Sequence, residues 1–324
     1  MRRRTFAAAL GSAAAAGPLM AYAQRIARVG FLIPGAAPTD KTALGHSVLG
    51  GLAKAGYVDG KNMIFEPRGA DGHFERLPAL VAELVAAKVD VIITSSFPAT
   101  AAAKEGTALP VVAINCGDPV GTGLVASLAR PGGHLTGVSD VSAELTPKRM
   151  DLLRALSPGL NRIGIMWNDG DQAMQLRAHA SETGAKSMSI GVEPLALHGP
   201  GDFDNAFATM TAEKPGGLLV VADTLTMGNS RRIFDYALAQ RLLVIYEMDF
   251  LAEAGGLMSY GPDTDETSER VGALVGRILT GAKPADLPFE QPTRFKLVVN
   301  LKTARALGIA VPPVILAGAD LVIE

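Results

Sequence analysis

The sequence predicts an α/β protein built as two doubly wound parallel-sheet lobes joined by a multi-strand hinge. Three observations carry this reading. Short apolar runs of strand length alternate with amphipathic runs of helix length along almost the whole chain. The alternation then restarts, at similar size, near residue 147. The length of 324 residues favours two domains over one, and a composition of 48% apolar and 5% aromatic with 36 Gly suits helices packed tightly on sheets rather than an all-β sandwich.

The chain begins with an address rather than with structure. Arg2, Arg3 and Arg4 precede an Ala-rich apolar run over residues 6–16, and Ala21-Tyr22-Ala23 supplies a small-x-small cleavage site before Gln24. Basic start, apolar run and cleavage site occur in signal-peptide order, which disfavours a short N-terminal helix. Arg3-Arg4-Thr5-Phe6 also fits the core of a twin-arginine signal. The run is too short to span a bilayer, so a membrane anchor is disfavoured. No Cys stands near the cleavage site, which excludes a bacterial lipid anchor. Removing residues 1–23 takes away three Arg and no acid, so the formal net charge moves from −2 to −5. The mature protein is expected to be soluble in a bacterial periplasm, to be a monomer, and to bind no nucleic acid.

The first set of elements follows. Residues 29–33 form an apolar run that reads as a buried parallel strand. Residues 42–55 read as a helix stopped by Gly56, and 63–65 as a second strand. Residues 74–88 read as a helix, because Leu77, Leu80, Val81, Leu84 and Val85 fall on one stripe. Residues 89–94 are the third strand. Residues 98–105 are a short helix with Pro98 in its first turn, where a missing N–H costs nothing. Strands at 110–115 and 135–138 close the set.

The second set has helices over 147–156, 171–183, 202–212 and 230–240, with Asp202 placed to cap the third. Its strands are 162–167, one within 187–197, 217–222, 242–246 and 256–260. A further helix over 267–280 carries Val271, Leu274, Val275, Ile278 and Leu279 on one face. A Pro-rich connection, a strand over 295–299 and a helix over 301–307 complete the chain. An extra helix of this kind can cross back to the first lobe. The expected division is therefore a signal peptide over 1–23, one lobe from 26–138 plus 261–288, and the other from 139–260 plus 289–324. Loops at the carboxyl ends of the strands are expected to face one another across a cleft, where open α/β sheets hold ligands.

The search for catalytic chemistry is thin. The sequence lacks a phosphate-binding P-loop, a G-x-G-x-x-G after a strand, a G-x-S-x-G elbow and an H-E-x-x-H pair. The five His are scattered without ligand-like spacing, and the single Cys116 excludes an internal disulfide and suits a small buried residue better than a nucleophile. No cofactor, metal or enzymatic activity is expected.

Polar residues do cluster just past strand ends. Ser95 and Ser96 precede a helix opening Phe97-Pro98-Ala99-Thr100. Free N–H groups and the helix dipole make that turn suitable for a carboxylate, although on residue type alone plain capping by Ser96 is favoured. Asp118 follows another strand. In the second set, Asn168 and Asp169, Asp223 and Thr224, and Glu247 and Asp249 follow strands. Each alone suits a cap; carboxylates at several strand ends on one rim suit an ammonium or hydroxyls. Phe97, Trp167, Tyr246 and Tyr260 stand near the same ends, with Tyr246 read as core.

Several segments together resemble one family. They are GLAKAGYVDGKN from Gly51, RLPALVAEL from Arg76, GDPVGTGLV from Gly117, RPGGHLTGV from Arg130 and NLKTARALG from Asn300, following the Arg- and Ala-rich leader. The chain resembles the substrate-binding proteins of ABC transporters with the type I periplasmic-binding fold, in the branch that includes tryptophan- and tyrosine-binding members. The resemblance covers almost the whole chain. It departs where the family commonly has Thr-Pro-Ala-Thr and this chain has Phe97 before Pro98, and where a family Asn-Pro is Asn168-Asp169 here. The resemblance implies capture rather than conversion of a small organic solute, an amino acid or an aromatic or organic acid, followed by docking on an ABC permease. Ser95, Ser96 and the turn Phe97-Pro98-Ala99-Thr100 would take a carboxylate. Asp223 and Glu247 would take an amine or hydroxyls, with Asp118, Asn168 and Tyr260 as further candidates. The alternatives left open are a sensor that presents the solute to a receptor, and an enzyme on the same scaffold. A repressor is disfavoured, because an export signal stands where a DNA-reading helix-turn-helix is required.

Overall fold

The computed structural model describes residues 26–324, so the expected signal peptide lies outside the described residues. The first lobe contains β1 (Ala27–Ile33), α1 (Ala43–Lys54), β2 (Met63–Gly69), α2 (Leu77–Ala86), β3 (Val91–Ser95), α3 (Phe97–Gly106), β4 (Val111–Ile114) and β5 (Leu135–Val138). Its strands lie in the order β2-β1-β3-β4-β5, and every pairing is parallel. β3 and β4 are buried at every position, which is why they open on Val/Ile runs rather than alternating with exposed polar residues.

The chain then crosses into the second lobe: α4 (Thr146–Leu156), β6 (Arg162–Asn168), α5 (Gln172–Ser187), β7 (Gly191–Leu197), α6 (Phe203–Glu213), β8 (Gly217–Val220), α7 (Thr224–Gly228), α8 (Ser230–Gln240), β9 (Leu243–Tyr246), α9 (Asp249–Glu253) and β10 (Met258–Pro262). Next come α10 (Thr264–Leu279), β11 (Phe295–Asn300), α11 (Leu301–Leu307), α12 (Pro313–Ala317) and β12 (Leu321–Ile323). The second sheet has the order β12-β11-β10-β9-β8-β6-β7. One pairing departs from the all-parallel expectation: β11 runs antiparallel to β10, with Tyr260 opposite Leu297. It is reached from outside the lobe and enters from the opposite end.

That excursion is α10. Asp263 caps it by accepting from the Asp265 and Glu266 N–H groups. Val271, Leu274, Val275 and Ile278 of α10 join the same apolar cluster as Phe31, Val91 and Ile114 of the first sheet. The helix lies against α1 at glycines: a Cβ on Gly272 would stand 2.2 Å from the Gly51 carbonyl oxygen, and one on Gly51 would stand 2.1 Å from that of Ser268. The return strand is tied to β5, where Ser139 donates its N–H to the Glu290 carbonyl and Glu290 donates to that of Gly137. The chain thus passes between lobes three times, near residues 139–145, at 263 and along 287–294.

Asp202 does not cap α6. It sits in a 3-10 turn, and its carboxylate accepts from the His198 N–H instead.

Candidate functional site

The carboxyl ends of both sheets meet. A Cβ on Gly35, just past β1, would lie 3.3 Å from the Thr224 methyl at the start of α7. A Cβ on Gly117, just past β4, would lie 2.8 Å from the Ala173 Cβ in the first turn of α5. Gly117 also has φ +76°, so both its conformation and its neighbour demand glycine. β3 lies between β1 and β4. Ser96, at its end, therefore lies between these two points of contact, and on the facing rim the contact residues adjoin Asp223 and Asp171.

Ser96 has φ +76° and ψ 163°, a region almost reserved for glycine. Its Oγ is buried without a hydrogen-bond partner and makes no cap to α3. Plain capping is thus excluded. A non-glycine residue held here, with an unused hydroxyl beside the free N–H groups of a ten-residue helix, forms an acceptor-seeking turn. Ser95 ends β3 and is buried; Ala99 and Thr100 are buried in the first turn, and the Thr100 hydroxyl bonds those of Thr94 at 2.9 Å and the Ser96 carbonyl at 2.7 Å. The Phe97 ring packs on the apolar cores of both lobes, so it is a wedge between them.

On the facing rim, Asp223 accepts from Asn168 Nδ2 at 2.6 Å and forms a capping box with Thr226. The Asn168 Oδ1 accepts from the Gly170 N–H at 2.9 Å, which fixes the amide orientation. Asp171 caps α5 through the Ala173 and Met174 N–H groups. Burial, with the Asp223 charge beside it, pushes the Asp171 carboxyl up to about 6, against the opposing pull of its two N–H bonds and Arg177.

Glu247 occupies a different environment from the one expected. It is fully buried, and both of its oxygens are taken. Oε1 accepts from Arg149 at 3.0 Å and from the Ser142 hydroxyl at 2.8 Å; Oε2 accepts from Arg177 at 3.0 Å and the Ala222 N–H at 2.9 Å. Burial would raise its carboxyl, but the two guanidinium groups and these donors hold it below the usual range. Arg177 also pairs with Asp140, which accepts from the Gly117 N–H at 3.2 Å. Two carboxylates and two guanidinium groups thus form a neutral, buried knot at the crossing, with no oxygen of Glu247 left for an amine. Burial pulls the Arg149 guanidinium down, partly offset by Glu247.

Tyr260 lies near the carboxyl end of β10, level with Glu247 and beside the buried knot. Its ring packs on the second core near Phe295, and its carbonyl accepts from Arg149 Nε at 2.8 Å. Asp118 is exposed, and its Oδ1 accepts from the Val120 N–H. Cys116 is buried, and its thiol is pushed up by burial and by Asp140.

Two cavities flank the line of contact. One, of about 610 Å³, opens between Gly35, Asp71 and Phe74 on the first lobe and Asn168, His198 and Thr224 on the second. The other, of about 510 Å³, lies beside the crossings and includes Asp118 and Arg177. Ser95 to Thr100 line neither of these. Among the described residues no His, Cys, Asp and Glu cluster is arranged to hold a metal, and no helix is long and apolar enough to cross a membrane.

The residue type missed in the sequence is the buried charge. Arg149 and Arg177 sit on the inward faces of α4 and α5 among Met150, Leu153 and Met174. Asp171 was legible only as the start of a helix. An Arg on an apolar stripe is the one signal that points to the knot.

Two sheets meeting at their carboxyl rims, with three crossings, define the class of bilobed, periplasmic-binding-protein-like folds. The chain belongs to the ABC transporter substrate binding protein family, whose model matches residues 39–323. It is similar to a tyrosine-binding protein of Clostridioides difficile, at 24% identity over 259 residues, covering 80% of this chain and 74% of that one. It superposes on the L-Trp complex of an ABC domain from Streptococcus pneumoniae with a TM-score of 0.82 at 26% identity, covering 92% of this chain and 99% of that one. A conserved domain protein from Vibrio cholerae superposes with a TM-score of 0.84 at 25% identity, over the same shares.

Proposed function

We propose that this chain is the exported solute-capturing component of an ABC importer, and that its solute is an aromatic amino acid held between the lobes. The observation that carries this reading is the pairing of opposite polarities across the rims. Asp171 and Asp223 on the second lobe suit an ammonium, and the unpartnered Ser96 hydroxyl with the α3 amide groups on the first suits a carboxylate. The 610 Å³ cavity beside Asn168 and Thr224 gives room for a side chain. The L-Trp and tyrosine ligands of the similar proteins support the same class of solute. The family supports release of the solute unchanged to a permease, and the leader pattern of residues 1–23 supports a periplasmic location.

A thermal-shift screen tests this. L-Trp, L-Tyr and L-Phe are expected to raise the melting temperature, adding about 2.7 kcal/mol at 100 times the dissociation constant. Asp223→Ala is expected to abolish the shift while costing only about 1 kcal/mol of stability through its lost cap. Binding of sugars, nucleosides or amine-free acids alone would overturn the assignment.

A further inference from the structure

The 510 Å³ cavity beside the crossings is walled by both lobes at once. Leu128 comes from the first lobe, Leu176 and Ala180 from α5, and Ser139 from the first crossing. Two features mark it as more than a packing gap. Ser139 is 4% exposed, and its Oγ has no hydrogen-bond partner. A buried hydroxyl without a partner forgoes a bond it had in water, and a ligand restores that bond. The charges are also lopsided. Arg177 at the inner wall is already neutralised by Asp140 and Glu247. Asp118 and Glu144 at the rim are exposed and make no ion pair among the described residues. Leu176 is 41% exposed and offers an apolar wall facing this space.

We propose that this cavity is a second binding site, separate from the solute cleft, for a small organic ammonium with an apolar body. The apolar body lies on Leu128, Leu176 and Ala180. The ammonium sits toward Asp118 and Glu144, and a heteroatom of the ligand engages Ser139 Oγ. An anion of the same shape meets two carboxylates and is rejected. Because the walls belong to both lobes and a crossing, occupancy favours the arrangement in which the lobes touch, and so couples to the solute cleft.

Isothermal titration with phenethylammonium chloride tests this, with 3-phenylpropionate as the anionic counterpart. Phenethylammonium is expected to bind the wild-type chain and Asp223→Ala alike, and to bind in the presence of saturating L-Tyr. Leu176→Arg, at an exposed position, places a cation in the cavity and is expected to abolish binding. Ser139→Ala is expected to weaken binding roughly tenfold without lowering the melting temperature, because the hydroxyl has no partner to lose. Absence of binding at millimolar concentration, equal binding of 3-phenylpropionate, or loss in Asp223→Ala with retention in Leu176→Arg would each overturn the proposal. None of these results bears on whether amino acids bind the cleft.

Discussion

Asp171 carries a cost that shows in the stability of the folded chain. Its carboxyl is pushed up to about 6 from an ordinary 3.8, with burial the main cause and Asp223 the second. Between those two pH values the folded chain binds a proton that the unfolded chain does not. The group therefore contributes stability that is complete below about pH 4 and is lost as pH rises through 6, amounting to about 3 kcal/mol. Asp171→Asn is expected to remove that slope, read as urea midpoints between pH 4 and 7. An ammonium beside Asp171 and Asp223 favours the ionised form, so affinity for an amino acid is expected to rise as pH increases through 6. Glu247 behaves oppositely. Removing it leaves Arg149 and Arg177 buried with too little counter-charge, so Glu247→Ala is expected to cost about 3–5 kcal/mol in equilibrium unfolding.

At the scale of elements, the contact of α1 with α10 fixes the excursion onto the first lobe. Gly272→Val forces a side chain into the space now held by the Gly51 carbonyl, and a loss of about 3 kcal/mol or more is expected. Gly50→Ala, where a Cβ meets nothing within 4 Å, is expected to stabilise α1 by up to about 1 kcal/mol, and the pair is separated by thermal denaturation. The same scale shows what the sequence made legible. Buried strands such as β3 and long amphipathic helices such as α10 announce themselves, because burial on one or both faces dictates residue type over many positions. The five-residue helices α7 and α9 do not, since one turn is too short to show a period. β12 and the antiparallel sense of β11 escape for another reason: strand direction is set by where the chain re-enters the lobe, and no local residue records it. The same logic covers the site. Polar residues past strand ends were legible as a rim, but Asp223 and Glu247 look alike in sequence. Their environments differ because Arg149 and Arg177, on α4 and α5, lie 98 and 70 residues away from Glu247 along the chain.

Across the whole molecule, two glycine contacts set how closely the lobes approach. Gly117→Val adds atoms against Ala173 and forces an unfavourable φ, so it is expected to hold the lobes apart. Small-angle scattering is expected to give a larger radius of gyration for this variant than for the wild-type chain, with unchanged far-ultraviolet circular dichroism and weakened amino-acid binding. An unchanged radius would show that lobe approach is set elsewhere.

The detour through α10 also governs the order in which the molecule is made. A ribosome that has finished the first sheet has covered the apolar face on Phe31, Val91 and Ile114 only in part, through Val48 and Leu52 of α1, because Val271 to Ile278 come later in the chain. The second sheet, in turn, waits for the C-terminal β11 and β12. The nascent chain therefore stays sticky and unfinished until synthesis is nearly over. That leaves a long interval in which the uncovered face is open to chaperones before the last elements close it.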